Sequence, residues 1–117
     1  MLTGNLARGA ALKLRAGGID PDRFVIGAYG SDHAHRPSLP PIAASRAERV
    51  LGRVPRGHEV VIIGDTPADV ACGASLGARA LAVATGGYTV AQLMACGSYA
   101  AFSDLTDTDA VVSAILD

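Results

Sequence analysis

Asp65 and Asp69, four residues apart behind a run of β-branched residues, are the pair whose types and spacing could do chemistry. They stand in Val60-Val61-Ile62-Ile63-Gly64-Asp65-Thr66-Pro67-Ala68-Asp69. The continuous apolar run predicts a parallel strand covered on both faces, ended by Gly64-Asp65. Thr66 suits a helix N-cap and Pro67 the first helical position. In an open parallel sheet, ligands bind beyond the carboxyl ends of the strands. Asp65 at a strand tip and Asp69 in the first helical turn are therefore expected to face one crevice. Hard carboxylate oxygens there suit Mg²⁺, which keeps several waters and bridges to substrate phosphate. Helix N-termini favour acids in any case, which accounts for one of the two residues but not for the whole arrangement.

Short β-branched runs alternate with helical stretches along the rest of the chain. Leu6, Ala10, Ala11 and Leu14 share a helical face, and Gly17-Gly18 ends that helix. Phe24-Val25-Ile26 is expected to form a short buried strand. A polar, Pro-rich loop from Ser31 to Pro41 leads into a helix with Ala43, Ala47, Val50 and Leu51 inward. After the Val60–Ile63 strand, a helix runs to Gly77 and a further strand covers Arg79 to Ala84. Thr89 caps a helix ending near Gly97, and a last helix spans about Thr108 to Leu116. Strand and helix in alternation imply an α/β fold with a parallel sheet.

Gly64-Asp65-Thr66-Pro67-Ala68-Asp69 resembles the fourth motif, GDxxxD, of the haloacid-dehalogenase (HAD) superfamily, in the form common among its phosphoglycolate-phosphatase-like phosphatases. Three further features are similar to the same family. Leu2-Thr3-Gly4-Asn5 resembles its second motif, a strand ending in Thr or Ser. Arg36-Pro37 stands where the third motif carries a Lys-Pro pair, with Arg offering a bidentate fork in place of a point charge. The order of elements, through Gly77-Ala78-Arg79-Ala80-Leu81-Ala82-Val83-Ala84-Thr85-Gly86-Gly87-Tyr88, follows the family's from Leu2 to about Leu116.

The resemblance implies a three-layer α/β/α, Rossmann-like core that hydrolyses a small phosphorylated metabolite with Mg²⁺. Thr3, Gly4, Asn5 and Arg36 would hold the phosphoryl group, with Thr3 and Arg36 as its catalytic contacts, and Asp65 and Asp69 would serve the metal. The family's first motif, DxDx[TV], supplies an Asp that attacks phosphorus to give an aspartyl-phosphate. Only two residues precede Thr3, and the sole D-x-D, Asp107-Thr108-Asp109, enters a helix and reads as a capping cluster. Residues 1–117 are thus expected to form a single, incomplete core without its first central strand, without a cap domain and without turnover of their own. Apolar strand edges left open in this way invite self-association or a missing N-terminal segment supplied in trans. The competing expectation is a non-catalytic remnant that binds Mg²⁺ or phosphate. A phosphotransfer receiver-like module would need an acidic pair and an acceptor Asp near the N-terminus, which this sequence lacks.

Composition narrows the remaining classes. Half of the 117 residues are apolar and there is no Trp, so the core must be built from Ala, Val, Leu and Ile. Ten basic residues against eleven acidic ones, with no basic stripe, give no support for a nucleic-acid or membrane-surface partner. No apolar stretch is long enough to span a bilayer, and no basic region followed by an apolar one opens the chain. Cys72 and Cys96, without CxxC spacing, are expected to be reduced core thiols of a cytoplasmic protein. His33 and His35 lack a third ligand at metal spacing, and His58 is expected to lie exposed at a strand start. Arg46 and Arg49 are expected to be solvated helix charges. Tyr29 and Asp32 could line the crevice, and Thr85-Gly86-Gly87-Tyr88 reads equally as a turn or a substrate contact.

Overall fold

The computed structural model describes residues Met1–Asp117, with five strands and five helices. The chain divides into two compact units, Met1–Pro55 and Arg56–Asp117. Every strand pairing is parallel, so the architecture is α/β, as the alternating pattern predicts. No helix is long and apolar enough to cross a membrane.

In the first unit, β1 (Leu2–Thr3) pairs with β2 (Ala28–Tyr29), in register Thr3 to Tyr29. Between them runs α1 (Ala7–Ala16), and α2 (Leu39–Leu51) follows. Their core is small: Ala10, Ala28, Leu39, Ala44 and Ala47. The strand expected at Phe24–Ile26 forms instead at Ala28–Tyr29, because Val25 is 63% exposed while Ala28 is completely buried. The inward stripe of α2 is likewise shifted. Leu39, Pro40, Ala44 and Ala47 are buried, whereas Val50 and Leu51 lie exposed on the last turn before the left-handed Gly52.

Arg46 and Arg49 are not merely solvated charges. Arg46 makes a two-pronged ion pair with Asp32, at 2.7 and 2.8 Å, and also donates to the Gly27 carbonyl at 2.7 Å. Arg49 donates to the Val25 carbonyl at 3.0 Å. Two arginines one helical turn apart therefore pin the segment entering β2 onto α2.

In the second unit the strand order is β3 (Val61–Gly64), β4 (Arg79–Val83), β5 (Ala100–Phe102), with Gly64 beside Ala82. The short strand β5 carries no strong apolar run and escapes sequence inspection. Helices α3 (Pro67–Cys72), α4 (Val90–Ala95) and α5 (Thr108–Leu116) complete the unit. Its core comprises Ile62, Cys72, Ala80–Val83, Leu93 and Val111. Leu81 and Leu93 are fully buried, and truncating either to Ala would cost about 2–5 kcal/mol.

The run Val60–Ile63 is not covered on both faces: Ile62 is buried, but Ile63 is 48% exposed. Ile62 turns toward the α3 side, where its side chain fills the space a Cβ on Gly73 would need. Cys72 is buried as expected, while Cys96 is exposed at the end of α4; neither is in a disulfide. His58 is exposed, in a 3-10 turn (Gly57–Glu59) and not on a strand.

Two glycines in the first unit should respond oppositely to the same substitution. A Cβ on Gly30 would collide with the Gly4 carbonyl and sit 2.8 Å from its carbon, whereas one on Gly9, within α1, would meet nothing. Gly30→Ala is expected to destabilise by about 1–3 kcal/mol through overpacking, and Gly9→Ala to stabilise by about 0.5–1 kcal/mol. Urea unfolding of the two variants beside the wild type checks both signs.

Candidate functional site

The groups singled out by sequence fall into two clusters, one in each unit. The second unit holds Asp65 and Asp69, at the carboxyl end of β3. Thr66 caps α3, with its hydroxyl accepting from the Asp69 N–H at 3.3 Å. Asp69 is 5% exposed. Its Oδ2 accepts from the Asp65 N–H at 3.1 Å, the Thr66 N–H at 3.0 Å and the Thr66 hydroxyl at 2.8 Å. A buried carboxylate is tolerated only with such partners, and these come from the loop it stabilises. The glycine at 64 has a steric cause: a Cβ there would lie 2.5 Å from Asp69 Oδ2, and nearer still to the carbons behind it. The Gly-Asp-x-x-x-Asp spacing thus describes a carboxylate folding back over a bare Cα to gather the N–H groups ahead of it.

Asp65 is the complement of Asp69. It is half-buried, and no group donates a hydrogen bond to its carboxylate. That side chain lies against the loop after the neighbouring strand β4, in the space that a Cβ on Gly86 would need. Asp65 can therefore offer bare, hard oxygens at a strand end, the donor chemistry that suits Mg²⁺. Nowhere do three or more His, Cys, Asp or Glu side chains converge as a ready-made metal centre. Asp107 caps α5 by accepting from the Ala110 N–H, as a capping cluster would.

The first unit holds Thr3, Gly4, Asn5 and Arg36. Arg36 is half-buried in a 3-10 turn (Arg36–Ser38) before α2. Its guanidinium reaches to 4.0 Å from where a Cβ on Gly4 would stand. The structure thus brings Arg36 to the loop after β1. Thr3 Oγ1 accepts from the Asn5 N–H at 3.1 Å and from Asn5 Nδ2 at 2.9 Å.

Lys13, which the sequence did not single out, donates to Asn5 Oδ1 at 2.9 Å. An ammonium can only donate, so it fixes which end of the Asn5 amide faces Thr3. With both acceptor positions of Thr3 Oγ1 taken, its own O–H is the hydrogen-bonding function left to donate outward. Of the helix N–H groups behind this loop, Ala7 already donates to Ser31 Oγ at 3.2 Å.

The histidines form no centre. His33 Nδ1 accepts from the His35 N–H at 2.9 Å, which commits that nitrogen to the turn. Asp32 pairs with Arg46 and accepts from the Tyr29 N–H at 2.9 Å, so it holds the segment after β2 in place. The Arg46 hydrogen bond, aided by the Tyr29 amide and the Arg46 charge, holds the Asp32 carboxyl below its ordinary value of 3.8, against a smaller opposing effect of desolvation. The folded state then binds this proton less readily than the unfolded chain. The stabilisation is full above the ordinary value and is lost as pH falls through the depressed one. Asp32→Asn should accordingly lower stability at neutral pH, and its gap to the wild type should close below about pH 4. Thermal melts of both proteins across the acid range measure this.

The family described as HAD-hydrolase-like matches residues 38–108, more than half of the chain. No curated protein matches. Among solved structures, a hydrolase from Pseudomonas syringae is similar with a TM-score of 0.66 and 19% identity, over 92% of this chain and 49% of that one. A HAD family hydrolase from Deinococcus radiodurans R1, solved with bound phosphate and sodium, is similar with a TM-score of 0.59 and 22% identity, over 97% of this chain and 51% of that one. At these identities the likeness is one of fold, and the chain spans about half the length of each structure. The matched segment, the parallel α/β fold and the Gly64–Asp69 loop agree: the chain belongs to the HAD-hydrolase-like family.

Proposed function

We propose that these residues serve Mg²⁺-dependent hydrolysis of a small phosphomonoester. The observation that carries this reading is the division of labour at the end of β3. Asp69 is spent on holding the loop, and Asp65 is left with a carboxylate that nothing in the fold occupies. In this reading Asp65 ligates the metal and Asp69 supports it from behind. Bound Mg²⁺ would supply positive charge against the oxygens of the transferring phosphoryl group. The Thr3 O–H donates to a phosphoryl oxygen, Gly4 and Asn5 shape the loop around it, and the Arg36 guanidinium offsets its charge. The bound phosphate of the Deinococcus radiodurans relative supports an anion as ligand.

Attack on phosphorus falls to an aspartate with no counterpart among residues 1–117, since the D-x-D at Asp107–Asp109 is committed to a helix cap. These residues alone are therefore proposed to bind without turning over. Two cysteines, neither of them in a disulfide, favour a reducing compartment such as the cytoplasm. A second reading, a non-catalytic strand-pairing module, draws support from β3. That strand is paired on one side only, by β4, and leaves Ile63 exposed. Another strand, from a second copy or from a segment supplied in trans, would fit that edge.

Two measurements test the proposal. Hydrolysis of p-nitrophenyl phosphate with Mg²⁺ should stay at background for the wild type and for Asp65→Asn. Turnover that disappears in Asp65→Asn would mean that another group attacks phosphorus. In an amide NMR titration, inorganic phosphate should shift Thr3, Gly4 and Asn5, and Thr3→Val should weaken that response by about 1 kcal/mol, the worth of one hydrogen bond. Shifts absent from this loop, or unchanged in Thr3→Val, would remove phosphate from the account.

A further inference from the structure

The loop after β4, Thr85-Gly86-Gly87-Tyr88, has no part in the proposed chemistry so far, and its two glycines differ sharply. Neither has the positive φ that would demand glycine for backbone reasons. A Cβ on Gly87 would meet nothing within 4 Å. A Cβ on Gly86 would collide with Asp65 Oδ2 and stand 3.3 Å from Asp65 Cγ and 3.6 Å from Asp65 Cβ. The Asp65 carboxylate therefore rests on the bare Cα of Gly86. It has no hydrogen-bond donor to fix its rotamer. Its backbone is held from one side by Asp69, through the Asp65 N–H. Because β3 and β4 are neighbouring parallel strands, with Gly64 beside Ala82, the two loops leave adjacent strand ends together.

We propose that Gly86 is a positioning residue for the metal ligand: its missing side chain is the seat that sets where the Asp65 carboxylate points. This rests on the reading of Asp65 as a ligand. A methyl group at 86 would have to turn the carboxylate out of its seat or lift the loop. Either movement misdirects the oxygen without removing it. Residues that orient a metal ligand typically change metal affinity by about 10–100-fold when replaced. Gly87→Ala, one residue away, introduces the same methyl group into open space and is the matched control.

The test uses the full chain with Mn²⁺ as a paramagnetic stand-in, since carboxylate sites that suit Mg²⁺ also accept Mn²⁺. In wild-type protein, Mn²⁺ should broaden the amides of Gly64, Asp65, Thr66 and Gly86 first, and Asp65→Asn should abolish this. Gly86→Ala should raise the Mn²⁺ concentration needed by about tenfold or more, and Gly87→Ala should leave it unchanged. Broadening that is indifferent to Asp65→Asn would sink the ligand reading and this inference with it. Broadening that depends on Asp65 but is equal in the two alanine variants would overturn the role of Gly86 alone. A second readout needs no metal and survives a Gly86→Ala variant that folds poorly. If Asp65 is what the methyl group strikes, Asp65→Ala should restore most of the stability lost in Gly86→Ala. An undiminished loss in the Asp65→Ala background would contradict the contact.

Discussion

A single buried carboxylate organises the chemistry-bearing end of the second unit. Asp69 is almost wholly removed from water, so its charge must be met by donors. Its donors include two consecutive backbone N–H groups and one hydroxyl of the loop that ends β3. Satisfying the charge and shaping the loop are therefore one event. Its consequences spread outward. Residue 64 must be glycine to let the carboxylate approach, Thr66 becomes the helix cap, and Asp65 is left with its backbone restrained and its side chain unpartnered.

The first unit solves a related problem with different groups. The loop after β1 is held by Gly30, whose N–H donates to the Asn5 carbonyl at 2.9 Å and whose Cα packs on Gly4. Thr3, Asn5 and Lys13 form a chain of hydrogen bonds with a fixed direction, because the ammonium at its end can only donate. Within each unit one side chain is fixed by another: Asp69 restrains the backbone of Asp65, and Asn5 occupies the acceptor positions of Thr3 Oγ1. Taken separately, the carboxylate of the second unit has the donor chemistry that suits a metal ion, and the hydroxyl and guanidinium of the first have the donor chemistry that suits an anion.

Much of this was legible in the sequence where local rules act alone. The Thr66 and Thr89 caps, the strand at Val61–Gly64 and the helix at Thr108–Leu116 follow from capping preferences and apolar runs that tertiary contacts do not overrule. The misplacements arise where packing decides. Phe24-Val25-Ile26 is strongly β-forming, yet Phe24 and Val25 are exposed, and the strand forms instead at Ala28–Tyr29, where a small residue fits against the buried face of α2. Strand β5 is three residues long and half-buried throughout, without a β-branched residue to betray it. At the site, residue types were readable and their division of roles was not. Nothing in the spacing separates an aspartate turned inward to the backbone from one turned outward, or tells Gly86 from Gly87. Lys13 and Arg46 act through long side chains on partners 8 and 14 residues away, which a search for local motifs does not reach.

Asp69 holds the loop carrying Asp65, and native-state amide hydrogen exchange reads that hold directly. In the wild type the Asp65 and Thr66 amides should be protected. In Asp69→Ala they should exchange roughly tenfold or more faster, while the amides of the β3–β4 ladder stay protected. Equal protection of Asp65 and Thr66 in the two proteins, with the ladder intact in both, would contradict the account.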